Sequence, residues 1–116
     1  MLKIGKDGRI TLTRGDTASL QLYLDAYYDD GKHHWYEPHE FDTVTFTLKE
    51  TPHEDSEVIF EKNLIELSFF LIDKKDTAHL KPGIYYYDVQ ILTEDGDRYT
   101  VVPPSVFEIT WEVNTE

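Results

Sequence analysis

The chain has no cysteine, only five prolines and six glycines, and no long apolar run. Without cysteine it has no disulfide framework, no thiolate metal site and no thiol nucleophile. The longest apolar run is Phe69-Phe70-Leu71-Ile72, whereas a membrane-spanning helix needs about 20 residues. The first residues also lack the apolar segment of a signal peptide. We therefore expect no signal peptide and no transmembrane segment, which favours the cytosol unless the protein travels as part of a larger assembly.

Basic residues are scarce as well. The chain has 11 Lys and Arg against 23 Asp and Glu in 116 residues, which gives a formal net charge of −12. Phosphate backbones and anionic lipids would repel such a surface, so we expect neither a nucleic-acid nor a membrane partner. Aromatic residues make up 14% of the chain, and disordered acidic segments have few of them. The length predicts one folded domain over residues 1–116.

Catalytic signatures are also absent from the sequence. It contains no nucleophile elbow, no glycine-rich phosphate loop and no helical metal-hydrolase motif. Carboxylate pairs are abundant, but 23 acids in a chain of this length produce them by chance. We therefore predict a protein that is not an enzyme and that has no catalytic residue, no cofactor and no metal ligand.

Alternation of apolar and polar residues with period two dominates the chain and predicts half-buried strands. It covers residues 9–13, 17–27, 43–49, 58–60, 64–72, 84–93, 99–102 and 107–113. We expect the apolar face of these strands to form the core, with Tyr85 and Trp111 both buried and each worth roughly 3–5 kcal/mol if truncated to alanine. The predicted core positions are Ile10, Leu12, Ala18, Leu20, Leu22, Leu24, Ala26, Val44, Phe46, Leu48, Tyr85, Tyr87, Val89, Ile91, Phe107, Ile109, Trp111 and Val113. Over 64–72 the pattern leaves the buried face open: Ile65, Leu67, Phe69 and Leu71 alternate with Glu66, Ser68, Phe70 and Ile72, which predicts partial cover on both faces near the end of this strand.

Turn residues separate these runs. Arg14-Gly15-Asp16 and Glu94-Asp95-Gly96-Asp97 predict tight turns, as does the acidic glycine-containing stretch at 29–32. The pair Pro103-Pro104 predicts a break between two strands, because proline cannot donate to a ladder. Residues 73–80 predict one helical turn, capped by Asp76-Thr77. Together these features predict an all-β fold: an antiparallel two-sheet β-sandwich of about seven to eight strands with one short helical turn.

The segment Leu80-Lys81-Pro82-Gly83-Ile84-Tyr85-Tyr86-Tyr87-Asp88-Val89 resembles the corner and following strand of immunoglobulin-like sandwiches. In that corner a tyrosine hydroxyl bonds back to an upstream backbone group, and Tyr85 is our candidate for this structural role. The antibody cysteines are missing. The resemblance is therefore to the architecture.

A wider resemblance spans residues 9 to 113. Its parts are Ile-Thr-Leu-Thr-Arg-Gly-Asp-Thr at 10–17, Asp-Thr-Val-Thr-Phe-Thr-Leu-Lys at 42–49, the tyrosine segment, Glu-Asp-Gly-Asp-Arg-Tyr-Thr-Val at 94–101 and Phe-Glu-Ile-Thr-Trp-Glu-Val at 107–113. Their order is similar to immunoglobulin-like structural proteins of phages and prophages, in particular the N-terminal domain of siphophage baseplate upper proteins. The resemblance implies a non-enzymatic tail or baseplate module in the virion. Other virion or baseplate proteins, or further copies of the chain, would be its partners.

Three histidines, His33, His34 and His39, lie beside Glu37 and Glu40. Imidazole and carboxylate groups bind zinc or nickel. Adjacent residues of a strand point to opposite faces, however, so His33 and His34 are poorly placed to share one ion. We interpret this segment as a polar hairpin strand and loop.

Aromatic residues flank the acidic turn at 29–32: Tyr27, Tyr28, Trp35 and Tyr36. A cross-strand aromatic patch suits packing on a protein partner. It also suits stacking on a sugar, which would make the protein a carbohydrate- or cell-surface-binding module. Simple stabilisation of a long hairpin is the third interpretation. These four residues are our candidate partner-binding site.

Overall fold

A computed structural model defines the fold. It describes residues 2–5, 8–21, 24–27, 33–36, 42–65 and 69–111, with the backbone alone for 24–27 and 33–36. In chain order the elements are β1 (Leu2–Ile4), β2 (Ile10–Thr13), β3 (Ala18–Gln21), β4 (Leu24–Tyr27), β5 (His33–Tyr36), β6 (Thr43–Lys49), β7 (Val58–Asn63), β8 (Phe69–Ile72), α1 (Lys74–Thr77), β9 (Gly83–Leu92) and β10 (Arg98–Thr110).

The strands of the described residues form three hydrogen-bonded sheets. A six-stranded sheet has the order β1-β2-β10-β9-β6-β7. All of its pairings are antiparallel except that of β10 with β2, which is parallel. Antiparallel β3 and β8 make a second ladder, and antiparallel β4 and β5 make a third. The first two ladders contribute side chains to one buried core.

The core follows the period-two pattern of the sequence. Alternate residues of six strands are buried, and each central strand buries one face only. The six-stranded sheet contributes Ile10, Leu12, Val44, Phe46, Leu48, Tyr87, Val89, Ile91, Phe107 and Ile109, and the β3–β8 ladder contributes Ala18, Leu20, Phe70 and Ile72. These assignments confirm most of the predicted core. Leu22, Leu24, Ala26 and Val113 lie outside the residues whose side chains are described.

The strand order identifies the fold as an immunoglobulin-like sandwich. Neighbouring β6, β9 and β10 take the places of the central strands of one sheet of that fold, and β3 and β8 take the places of two strands of the facing sheet. Helix α1 lies in the connection from β8 to β9, directly before the tyrosine segment. The predicted all-β immunoglobulin-like fold is therefore confirmed.

Strand boundaries differ from the prediction in three places. β1, which the sequence did not predict, pairs with β2. The expected long strand over 17–27 contributes to two different ladders as β3 and β4. The described residues thus contain ten strands, more than the seven to eight expected. The predicted break at Pro103-Pro104 is wrong, because β10 runs from Arg98 to Thr110. Its pairing with β9 only shifts register, once between Thr100 and Val102 and again between Val102 and Ser105. Pro103 and Pro104 lie at such a shift and have no paired residue on β9. The fold therefore needs no backbone N–H from either proline.

Two local predictions also need correction. The residue at the helix N-terminus is Asp73 and not Asp76: the Asp73 backbone N–H donates to Asp76 Oδ2 at 2.7 Å. Trp111 is not buried, since it is 68% exposed. Trp111 lies two residues after Ile109 and would point to the core side if the strand continued. It is exposed because β10 ends at Thr110 and the facing β3–β8 ladder does not reach it.

Candidate binding surface

The β4–β5 hairpin carries three of the four predicted partner-binding residues. Its register pairs Tyr27 with His33, Asp25 with Trp35, and Leu24 with Tyr36. Directly paired residues share a face of an antiparallel ladder. Tyr27 and Trp35 therefore occupy positions on one face and Tyr36 a position on the other, so the set does not form a single patch. Tyr28 lies outside the described residues.

The hairpin is a separate sheet. Within the described ranges, β4 and β5 hydrogen-bond to each other but to no strand of the six-stranded sheet or of the β3–β8 ladder. An isolated two-stranded ladder of four residues a side is at best marginally stable in water. Contact with another surface would stabilise it. The turn at 29–32 lies outside the described part of the chain.

Tyr85 makes the hydrogen bond that the tyrosine corner requires. Its hydroxyl donates to the Lys81 carbonyl oxygen, four residues upstream, at 2.6 Å. Burial and the nearby Glu50 carboxylate raise the pKa of the Tyr85 hydroxyl, and the bond to Lys81 opposes this shift. The side chain is only partly buried, so it ties the corner together without filling the core, contrary to the expectation that it is buried.

Tyr87 is the tyrosine that fills the core. Its ring lies 5.0 Å from that of Phe46, with the planes 10° apart, and it meets Phe107 edge-on at 6.2 Å. Its hydroxyl donates to the Gly8 carbonyl oxygen. In antibody domains the position two residues after the corner tyrosine is a cysteine. Here a stacked ring occupies that position.

The Arg14-Gly15-Asp16 turn is fixed by structural bonds. Gly15 has φ of 81°, a conformation that favours glycine. The Asp16 N–H donates to the Thr13 carbonyl at 3.1 Å, and the Gly15 N–H donates to Thr77 Oγ1 at 2.9 Å. The Arg14 guanidinium lies 5.1 Å from the Trp111 ring centroid, within cation–π range. The predicted turn between β2 and β3 is confirmed, and its bond to Thr77 also ties it to the helix.

Asp88 is a feature that the sequence did not single out. Its carboxyl faces outward from β9 beside Lys49, Tyr86 and Pro104. Asp88 Oδ1 is inaccessible to water and has no hydrogen-bond partner among the described residues. Burial raises the pKa of this carboxyl, and the Lys49 ammonium opposes the shift. No local pattern in the sequence marks it, since its environment depends on three separate strands.

No group of three or more metal-ligating side chains occurs in the part of the chain that the structure describes. His33 and His34 pair with Tyr27 and Ala26 in the hairpin, and His39 falls outside that part. The described residues also form no helix long and apolar enough to cross a membrane.

No protein-family model matches the sequence, and neither does any curated protein. Among solved structures, the chain is similar to that of murine CRIg, with 15% identity, 97% of each chain covered and a TM-score of 0.40. A similarity of this size carries no functional argument. The fold assignment rests on the strand order and on the tyrosine corner.

Proposed function

We propose that the protein is a non-enzymatic assembly module of a phage or prophage tail or baseplate and docks on a neighbouring virion protein through the β4–β5 hairpin. The order of sequence segments between residues 9 and 113 supports the virion class. The protein would reside in the bacterial cytoplasm until it joins the particle.

One observation carries the choice of surface: β4 and β5 form a ladder that is hydrogen-bonded to neither of the other two sheets in the described chain. Such a ladder presents two edges with backbone donors and acceptors, and a partner strand can pair with either. Tyr27 and Trp35, at positions on one face, are residue types that supply binding energy in interface cores.

Site-specific crosslinking tests this function. A photo-crosslinking amino acid replaces Trp35 in one variant and Asp95, in the β9–β10 turn, in the control, and each is co-expressed with the proteins of the adjoining genes. We expect adjoining genes for tail or baseplate proteins and a crosslink to one of their products from position 35 alone. Equal crosslinking from both positions, or none from position 35, would contradict the proposal.

The carbohydrate alternative gives a different result. A glycan array probed with the wild type and with Trp35→Ala would show a selective signal that the substitution removes. If that signal appears and no crosslink forms to an adjoining gene product, the protein is a glycan-binding module instead.

A further inference from the structure

The outer surface of the six-stranded sheet has a composition and a net charge unlike those of the chain as a whole. The face opposite the core carries the outward residues of β2, β10, β9 and β6, which we call the outer face. Threonines occupy outward positions on β2, β6 and β10. Ile84 and Leu92 on β9 are 44% and 40% exposed. The face is therefore lined mainly by threonine side chains, with an exposed apolar residue near each end of β9.

The outer face has no net charge, although the chain as a whole has −12. Its charged residues within these four strands are two acids, Asp88 and Glu108, and two bases, Lys49 and Arg98. Glu108 is in addition paired with Arg9 at 2.7 Å. The excess negative charge lies elsewhere, for example in the loop at 50–57 that borders the face. A second acidic copy would thus meet less repulsion over these strands than over that loop.

The size of the outer face indicates a weak contact. The four strands have 4, 7, 10 and 13 residues. At a rise of about 3.3 Å per residue and a spacing of about 4.8 Å, they cover about 540 Å². A standard stable interface buries about 800 Å² per partner. The outer face falls somewhat short of this area, which fits copies that meet at high local concentration.

We propose that the protein self-associates through the outer face, with two copies packed sheet to sheet around a two-fold axis in a weak dimer. The same surface serves both copies, as an isologous interface requires. Sheets that pack face to face align within about 30° and interdigitate their side chains. Ile84 and the threonine rows supply the contact. This interface does not involve the β4–β5 hairpin.

Sedimentation velocity over micromolar to near-millimolar concentrations measures the association. We expect a reversible monomer–dimer equilibrium that Ile84→Lys weakens about tenfold or more, since it places a charge in the contact. The matched control is Ile65→Lys, which changes the same residue type by the same charge at a similar exposure of 39%, away from the outer face. This control should leave the equilibrium unchanged.

Salt dependence separates this interface from one built of ion pairs. Two copies of net charge −12 repel each other, and salt screens that repulsion beyond about 10 Å at 0.1 M. The dimer should therefore strengthen as salt rises.

Three results would overturn the proposal. The wild type remains monomeric at every concentration and salt, or the two isoleucine variants behave alike, or Trp35→Ala abolishes the dimer. The last result would place the self-contact on the hairpin. Loss of the crosslink from position 35 with an intact dimer would instead refute only the proposed docking function.

Discussion

Two tyrosines of β9, Tyr85 and Tyr87, have separate structural roles. Tyr85 ties a corner to Lys81, and Tyr87 bonds to Gly8 while it stacks on Phe46. The spacing of the tyrosines was visible in the sequence. The sequence did not show which of them fills the core. Tyr85 lies at the end of the sandwich and is only partly covered, whereas Tyr87 is buried.

Asp88 allows a test at the scale of one residue. A carboxyl whose pKa is raised in the folded state binds its proton more tightly there than in the unfolded chain, so its ionised form opposes folding above that pKa. Asp88→Asn should therefore raise the free energy of unfolding at pH 7. The gain should disappear below the usual carboxyl pKa near 3.8, where both states are protonated.

Urea denaturation across this pH range measures the effect. Asp95→Asn, at an exposed turn position, makes the same change in net charge and is the matched control. If both variants gain equally at pH 7, overall charge rather than the environment of Asp88 is responsible.

Among the elements, the short helix and its neighbouring turn are fixed by contacts far apart in sequence. Thr77 is fully buried, and its hydroxyl oxygen accepts from the Gly15 N–H. Lys62 on β7 lies 2.8 Å from Asp76 Oδ2 in the helix. The helix therefore connects the Arg14-Gly15-Asp16 turn to β7. Its N-terminal residue was mispredicted because both Asp73 and Asp76 suit that role.

Thr77→Val tests this tie. Valine keeps the shape of threonine but removes the acceptor, and a partly buried N–H without a partner costs about 1–3 kcal/mol. We expect that loss in chemical denaturation, together with faster hydrogen exchange at the Gly15 amide.

Thr77→Ser keeps the hydroxyl and loses a methyl group. It should lower stability through packing yet leave the Gly15 amide protected. Equal exchange at Gly15 in the two variants would show that the hydroxyl does not hold the turn.

At the scale of the whole molecule, an aromatic cluster joins the two layers where antibody domains have a disulfide. Phe46 lies within 5.0 to 6.2 Å, centroid to centroid, of Phe60, Phe70, Tyr87 and Phe107. Phe70 comes from the β3–β8 ladder and the other rings from the six-stranded sheet. This packing connects the layers without a covalent bond.

Truncation of one buried and one exposed aromatic side chain to alanine tests the assignment of the core. Phe46→Ala should lower the free energy of unfolding by about 3–5 kcal/mol. Trp111→Ala should change it by only about 0.5 kcal/mol, as is typical of surface positions, because the ring is 68% exposed. A larger loss from Trp111→Ala than from Phe46→Ala would contradict the observed core.

Alternation and turn chemistry are local, so they were enough to predict the all-β class, the buried face of each central strand and the tight turns at Gly15 and Gly96. The tertiary structure was needed to show that β10 passes through two prolines and that Trp111 lies beyond the end of the core. It also showed that, among the described residues, β4–β5 hydrogen-bonds to neither of the other sheets. These features depend on which strands become neighbours and where the facing layer ends. Both are set by contacts between residues distant in the chain.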